Sequence, residues 1–417
     1  MNNKNNIYII DNQRSNNLIE FFLCDESLYW SCCSNEQRKD TKIIDDVKIF
    51  DLCIDNKENI HVVCVLNSGK LIYLAYDKGN WSNRVFQSFP KEANSIDQLK
   101  IISIDDIIHI FYDFKITTKL NNNYNYKSFI IHTYKHNGEW IQAYISAFHD
   151  PINPKFFVDM DSHKNIIVCY LYSDFKTSYI CSLIFSKNKM RWQQAKDFQL
   201  DNPNIAIMEF LIDLNNNIHF IFYNKSCNEI YHNSTDSSFN PRNRYSLITP
   251  IKENISSLIF FQKDHRLWIM WKYKDSVIII SSNDFGETWN DFSKKVSAKL
   301  KKIKYLYSYN TSKTFKTITS FGYLNDGNAF VLGINEAKEI ENNAIATKIS
   351  YNEDDNKTEE DNIHVMENDV KSDISYNNNP SNSKGSIIIE ESYIPKASKK
   401  DKSSIWRKIT NYLTMKD

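Results

Sequence analysis

The chain has 417 residues, enough to bury a large core or a set of repeats. Its 51 basic side chains balance 51 acidic ones, so no global field draws it to nucleic acid or to an acidic membrane surface. Aromatic residues make up 14%, which favours β structure, and only 8 Gly and 8 Pro leave most turns to Asn, Asp and Ser.

In chain order, the first residues, MNNKNNIYIID, carry a strand at 7–11 and lack the apolar core and cleavage site of a secretory leader. No apolar run reaches the roughly 18 residues a membrane-spanning helix needs, and a cytoplasmic setting is expected. Cys24, Cys32, Cys33, Cys53, Cys64, Cys169, Cys181 and Cys227 mostly sit inside apolar strand-like runs without CxxC spacing. They read as small core hydrophobes in a reducing compartment, with no metal or redox cofactor.

Hairpins then recur. Segments 51–66, 101–112, 157–171, 211–223 and 258–271 each read as apolar strand, Asp/Asn-rich turn, apolar strand. Their second strands align His61, His109, Ile167, His219 and Trp268 at intervals of about 48–58 residues, a propeller-blade period. A second hairpin accompanies each, at 71–82, 128–142, 179–193, 229–239 and 276–291, with a further copy at 18–31. An aromatic residue closes every one of these turns: Trp30, Trp81, Trp140, Trp192, Phe239 and Trp289. One four-stranded blade cannot cover both of its apolar faces, so neighbours must stack and the ring must close. Residues 1–335 are therefore expected to form an all-β propeller of four-stranded antiparallel blades, closed by N- and C-terminal strands. Strands at 304–309, 316–324 and 328–334 complete the N-terminal blade to give six, or build one of their own to give seven.

The last second hairpin contains SNDFGETW, a Ser-x-Asp-x-Gly-x-Thr-Trp pattern carried by Ser282, Asp284, Gly286, Thr288 and Trp289. Asp284 can accept bonds from turn amides, Gly286 supplies a backbone shape other residues resist, and Trp289 packs between blades. This Asp-box resembles the sialidase and BNR-repeat superfamily of β-propellers, across residues 1 to about 335 as architecture. The resemblance implies a turn element on the blade rim, away from the family's catalytic face. Sialidases also carry an Arg-Ile-Pro motif, which supplies one of three substrate-gripping arginines. That tripeptide is absent here, and Arg14, Arg38, Arg84, Arg191, Arg242, Arg244 and Arg266 fall mostly in loops or on outer strands. The chain offers no catalytic residue that can be assigned. Nor do His61, His109 and His219 make a metal site, because Ile167 and Trp268 occupy the same repeat position.

Beyond residue 335 the composition turns polar, with 14 acidic and 5 basic residues over 336–395. Residues 336–400 read as a disordered acidic linker. Residues 401–417 read as a short amphipathic helix, with Ile405, Trp406, Ile409, Tyr412 and Leu413 on one docking face. Its basic flank allows weak membrane-surface contact. The function these features indicate is a non-catalytic propeller that binds a protein or another macromolecule. The alternatives are a glycan-binding, lectin-like propeller and a diverged exo-sialidase-like glycoside hydrolase.

Overall fold

The computed structural model describes residues 5–332, except 13–16, 34–38, 78, 89–93, 121–122, 149–154, 174–177, 196, 201–204, 225, 241–245, 251–254, 256–257, 264, 274–275, 292–299, 309–314 and 326–327. The acidic segment and the docking helix read at 336–417 lie outside the described residues, as do Arg14, Arg38, Arg242 and Arg244.

The chain is a six-bladed β-propeller. Strands β1 (Asn5–Asn12), β2 (Asn17–Cys24), β3 (Ser27–Cys33) and β4 (Lys39–Ile44) open it. The next sheet is β5 (Val47–Ile54), β6 (Ile60–Leu66), β7 (Lys70–Asp77) and β8 (Asn80–Ser88). It is followed by β9 (Asn94–Ser95), β10 (Leu99–Ile104), β11 (Ile107–Leu120), β12 (Asn123–His136) and β13 (Glu139–Phe148), where β9 pairs with β11. Then come β14 (Phe156–Met160), β15 (Ile166–Ser173), β16 (Ser178–Ser186), β17 (Arg191–Gln194) and β18 (Phe198–Leu200), where β18 pairs with β16. The last two complete blades are β19 (Ile205–Ile212), β20 (Ile218–Asn224), β21 (Glu229–Thr235), β22 (Ser246–Pro250), and β23 (Leu258–Lys263), β24 (Arg266–Tyr273), β25 (Ser276–Ser282), β26 (Asn290–Asp291).

The terminal strands β27 (Lys301–Ser308), β28 (Phe315–Asn325) and β29 (Asn328–Val331) make no seventh sheet. They join the opening strands in the order β29-β28-β27-β1-β2-β3-β4. The seam is the parallel pair β1 and β27, in register from Ile7 opposite Ile303 to Asp11 opposite Tyr307. The ring is thus stitched by backbone hydrogen bonds between the two ends of the domain.

The core is divided into wedges between blades. Val63 and Tyr73 of one blade meet Ile110 and Ile131 of the next, and Phe111 and Ile130 in turn meet Ile166 and Val168. Phe239 packs with Ile167 and Cys169, and Ile221 with Ile269. The ring closes through Ile259 and Met270 against Ile318 and Phe321, and through Phe21 and Leu28 against Val62 and Leu74. Central strands such as β6 and β20 are buried along their whole length, which is why they read as unbroken apolar runs.

Five of the hairpin turns follow one local rule. Asp55, Asp161, Asp213 and Asp236 each accept the backbone N–H and side-chain amide of an Asn four residues later, at 2.7–3.1 Å. The residue before that Asn is left-handed: Glu58, Lys164, Asn216 and Phe239 have φ of 60–68°. Asp284 does the same with Thr288, whose N–H and hydroxyl donate to it at 2.9 and 2.5 Å. A short polar side chain thereby satisfies turn amides that no strand reaches.

Candidate functional site: the wide mouth of the central channel

The inner strands β5, β10, β14, β19 and β23 of five blades face a central channel, and the closing sheet turns β27 and β28 to it. Two cavities lie along it, sharing Lys100, Val158, Asp159, Leu211, Gln262 and Ile318 in their walls. The narrower, about 360 Å³, lies where the inner strands end, among Ile54, Met160, Ser162 and Leu214. The wider, about 580 Å³, lies where those strands begin, and its lining includes Phe50, Lys155, Phe157, Glu209, Lys302 and Lys304. That volume lies in the range of small-ligand clefts.

Inner strands do not pair with one another, so side chains must satisfy their edges. Asp51 Oδ2 accepts the Ile101 N–H at 2.9 Å, and Asp159 Oδ2 accepts that of Ile212 at 2.8 Å. Gln98 Oε1 accepts from Phe156 N at 3.0 Å, and Gln262 Oε1 from Leu214 N at 2.9 Å. Each bond crosses from one blade to its neighbour. Asp113, fully buried on β11, accepts the N–H groups of Asp97 and Gln98 at 2.8 and 2.7 Å and so holds the segment leading into β10.

At the seam, Tyr8 Oη donates to Asp51 Oδ1 at 2.7 Å, and Lys304 Nζ donates to both groups at 2.8 Å. Burial alone would raise the Asp51 carboxyl, but Lys304 and Lys100, with the bonds from Lys304 and Tyr8, hold it below its ordinary value. Burial pushes the Tyr8 phenol well above its usual range, and Asp51 adds to that. It also lowers the Lys304 ammonium, against the pull of Asp51.

Deeper electrostatics concentrate on Glu209. Burial raises its carboxyl, opposed by Lys302, Lys155, Lys304 and Lys100. Lys302 Nζ stands 3.9 Å from Glu209 Oε1, too far for a direct hydrogen bond. Lys155 lies over the Phe157 ring at 4.6 Å, and its amine is lowered by burial. Asp159 is likewise raised by burial, against the two N–H bonds it accepts from Ile212 and Met160.

The residues singled out in the sequence lie elsewhere. Ser282 Oγ donates to Asp284 Oδ1 at 2.7 Å and accepts the Gly286 N–H at 2.7 Å, in the turn from β25 to β26. Trp81, Trp140, Trp192 and Trp289 reach back to the preceding blade, against Trp30, Tyr73, His132 and His232 respectively. Phe239 also faces the preceding blade, but from inside its turn, fully buried and left-handed. Trp30 differs: it stands on β3 facing the following blade, beside Tyr76 and Trp81, while its neighbour Tyr29 takes the other face against Phe22.

His61, His109 and His219 occupy equivalent places on β6, β11 and β20, opposite Cys53, Ile102 and Leu211. Each is bonded within its own blade. His61 bridges Asp55 at 3.0 Å and Tyr73 at 2.6 Å, and His219 bridges Asp213 at 3.2 Å and His232 at 2.9 Å. His109 meets His132 at 3.0 Å. Among the described residues no three His, Cys, Asp or Glu side chains converge. Of the described arginines, Arg84, Arg191 and Arg266, none lines the channel.

Sequence reasoning missed the channel cluster. Lys100, Lys155, Glu209, Lys302 and Lys304 are dispersed through the chain: Lys100, Lys155 and Lys302 lie at or just before the start of a strand, and Glu209 and Lys304 lie within theirs.

No family model matches the chain, and no curated protein does. Among solved structures it is similar to a fungal lectin of Aleuria aurantia, a six-bladed β-propeller with a fucose recognition mode. There the identity is 13% and the TM-score 0.41, over 69% of this chain and 94% of that one. It is also similar to AofleA from Arthrobotrys oligospora, at 12% identity and TM-score 0.40, over 67% and 83% of the two chains. A neuraminidase-like protein of a little yellow-shouldered bat strain gives 12% and 0.40, over 70% and 96%.

Proposed function

We propose that this propeller is a non-catalytic binding module that takes its ligand in the wide mouth of the central channel. The observation that carries the reading is the commitment of the channel's reactive groups to structure. A tyrosine nucleophile needs an activated phenol; Tyr8 instead donates its proton to Asp51, and burial moves it away from ionisation. Asp51 and Asp159 hold backbone amides of neighbouring blades. What remains is a cavity of mixed lining, with lysines and Glu209 beside an aromatic wall at Phe157.

Within that reading, the volume of about 580 Å³ favours a glycan-sized ligand, or one projecting group of a protein, over a broad protein interface. Kinship with sialidase-type repeat propellers is supported by the hydrogen bonds of the 282–289 turn. Fold kinship does not carry chemistry. A cytoplasmic setting is part of the same proposal.

A glycan array and a panel of fluorogenic glycosides on the full chain test the proposal. The expected result is binding without turnover, weakened by Phe157→Ala. Turnover abolished by Glu209→Gln would overturn it, and array binding indifferent to Phe157→Ala would move the site out of the channel.

A further inference from the structure

The wide mouth holds more cation than it neutralises. Lys48 at the rim is matched by Asp97 at 2.8 Å, and Lys304 by Asp51 at 2.8 Å. Glu209 stands nearest Lys302, yet 3.9 Å away, and Lys155 and Lys100 also act on that one carboxyl. Among the described residues Lys100 makes no ion pair, although it lies close enough to act on Asp51, Asp159 and Glu209 alike. Asp159 offers little compensation, since its oxygens are taken by the Ile212 and Met160 amides and burial favours its neutral form. Ammonium groups gathered on the wall of a partly desolvated cavity repel one another unless an anion enters.

We propose that the mouth binds an oxyanion, a carboxylate or phosphate group borne by the ligand, between Lys100 and Lys302, with Glu209 as the competing internal anion. The inference rests on the channel mouth being the binding site. Lysine is a compact charge with three rotatable donors, suited to carboxylate and phosphate alike. The aromatic wall at Phe157 and the side-chain amide of Gln262 give the body of the ligand one apolar and one polar surface. Glu209 is the one carboxyl that Lys302, Lys155 and Lys100 all act on. An incoming oxyanion displaces that interaction, so the carboxyl of Glu209 sets the affinity from inside the protein.

Calorimetric titration of the full chain with glucuronate, glucose and inorganic phosphate tests this. Glucuronate is expected to bind at least about tenfold more tightly than glucose, the worth of one charged contact. Phosphate as the tighter anion would make the ligand a phosphate ester; glucuronate as the tighter would make it an acidic sugar. Lys100→Gln should weaken the anion by about tenfold. Glu209→Gln should tighten it several-fold, an effect that a damaged fold does not produce. Equal binding of glucose and glucuronate, no binding of either anion, or anion binding weakened or unchanged by Glu209→Gln overturns the inference. In those cases glycan binding that is still sensitive to Phe157→Ala leaves the channel as the site. Anion binding indifferent to Lys100→Gln and Phe157→Ala together removes both readings.

Discussion

Lys304 and Asp51 lie 253 residues apart in the chain and meet at 2.8 Å inside the propeller, where Tyr8 donates to the same carboxylate oxygen at 2.7 Å. Three segments, the first strand, the first complete blade and the terminal strand β27, are thereby tied through one buried acid. Asp51 is 1% exposed, so removing Lys304 leaves a buried charge with only hydrogen bonds and the more distant Lys100 to hold it. Lys304→Met should destabilise the domain by about 2–4 kcal/mol in denaturant unfolding. Asp51→Asn combined with Lys304→Met should recover part of that, because no orphan charge remains. A single-mutant cost no larger than that of a surface lysine would mean the pair does not close the ring.

The same acid has a pH signature. Asp51 is held below its ordinary value, and Asp55, bonded by His61 and Asn59 against the cost of burial, is lowered to about 2. A depressed carboxylate contributes stability that is complete above its unfolded pKa, about 4, and is lost as pH falls through the folded value. Buried His109 and His232, lowered to about 3, add to acid sensitivity, since the unfolded chain binds their protons from about pH 6.5 downward. Asp113 runs the other way. Burial raises it to about 6, so the folded state holds its proton longer, and its contribution to stability falls as pH rises from about 4 to 6. Asp113→Asn keeps an oxygen for the Asp97 and Gln98 amides and removes the ionisation. The variant should match the wild type near pH 4 and exceed it by on the order of 2 kcal/mol at pH 7.5. Parallel stability curves across that range would place the Asp113 carboxyl outside the titrating window.

How far these features were legible varies with their physical origin. The strands of each blade announce themselves because double-faced burial demands unbroken apolar runs, as in IHVVCVL of β6. The blade count stayed open between six and seven because the β1–β27 pairing joins residues 7–11 to 303–307, and no local pattern encodes it. The Asp-x-x-x-Asn spacing recurs four times, at 55, 161, 213 and 236, but in a chain this rich in Asp and Asn it stands out less than the aromatic at each second turn. Trp30 shows the limit of that signal: its position in sequence matches Trp81, yet it sits two residues deeper into its strand and faces the other side. The lysines of the channel mouth were illegible because a lysine at the start of a strand is ordinary until five other strands surround it.

Glycine requirements separate two turns that look alike in sequence. Gly138 and Gly286 both have positive φ, +83° and +94°. A Cβ on Gly138 meets open space, whereas one on Gly286 would stand 2.1 Å from His232 Cε1. Gly138→Ala should therefore cost only its backbone strain, about 1 kcal/mol. Gly286→Ala adds overpacking against a buried ring and should cost about 3 kcal/mol or more. Equal losses in melting temperature would show that the 282–289 turn can move away from the neighbouring blade.

His232 also belongs to a relay that begins in a turn. Asp213 Oδ2 accepts both from the Asn217 amide at 2.8 Å and from His219 Nε2 at 3.2 Å, and His219 Nδ1 then meets His232 Nε2 at 2.9 Å. The hydrogen bond from His219 keeps the Asp213 carboxyl below its usual value despite burial. Asp236 makes the same turn with Asn240 through exposed bonds. Asp213→Ala strips the turn amides and also orphans a fully buried imidazole, a loss of about 3 kcal/mol. Asp236→Ala removes exposed turn bonds, about 1 kcal/mol. Adding His219→Phe to Asp213→Ala removes the stranded imidazole but takes the partner from His232 Nε2, so it should change the loss little, whereas the same addition to Asp236→Ala strands both Asp213 and His232 and should deepen it. Unfolding curves of the four variants decide whether the aspartate serves its turn alone or also the interior of the blade.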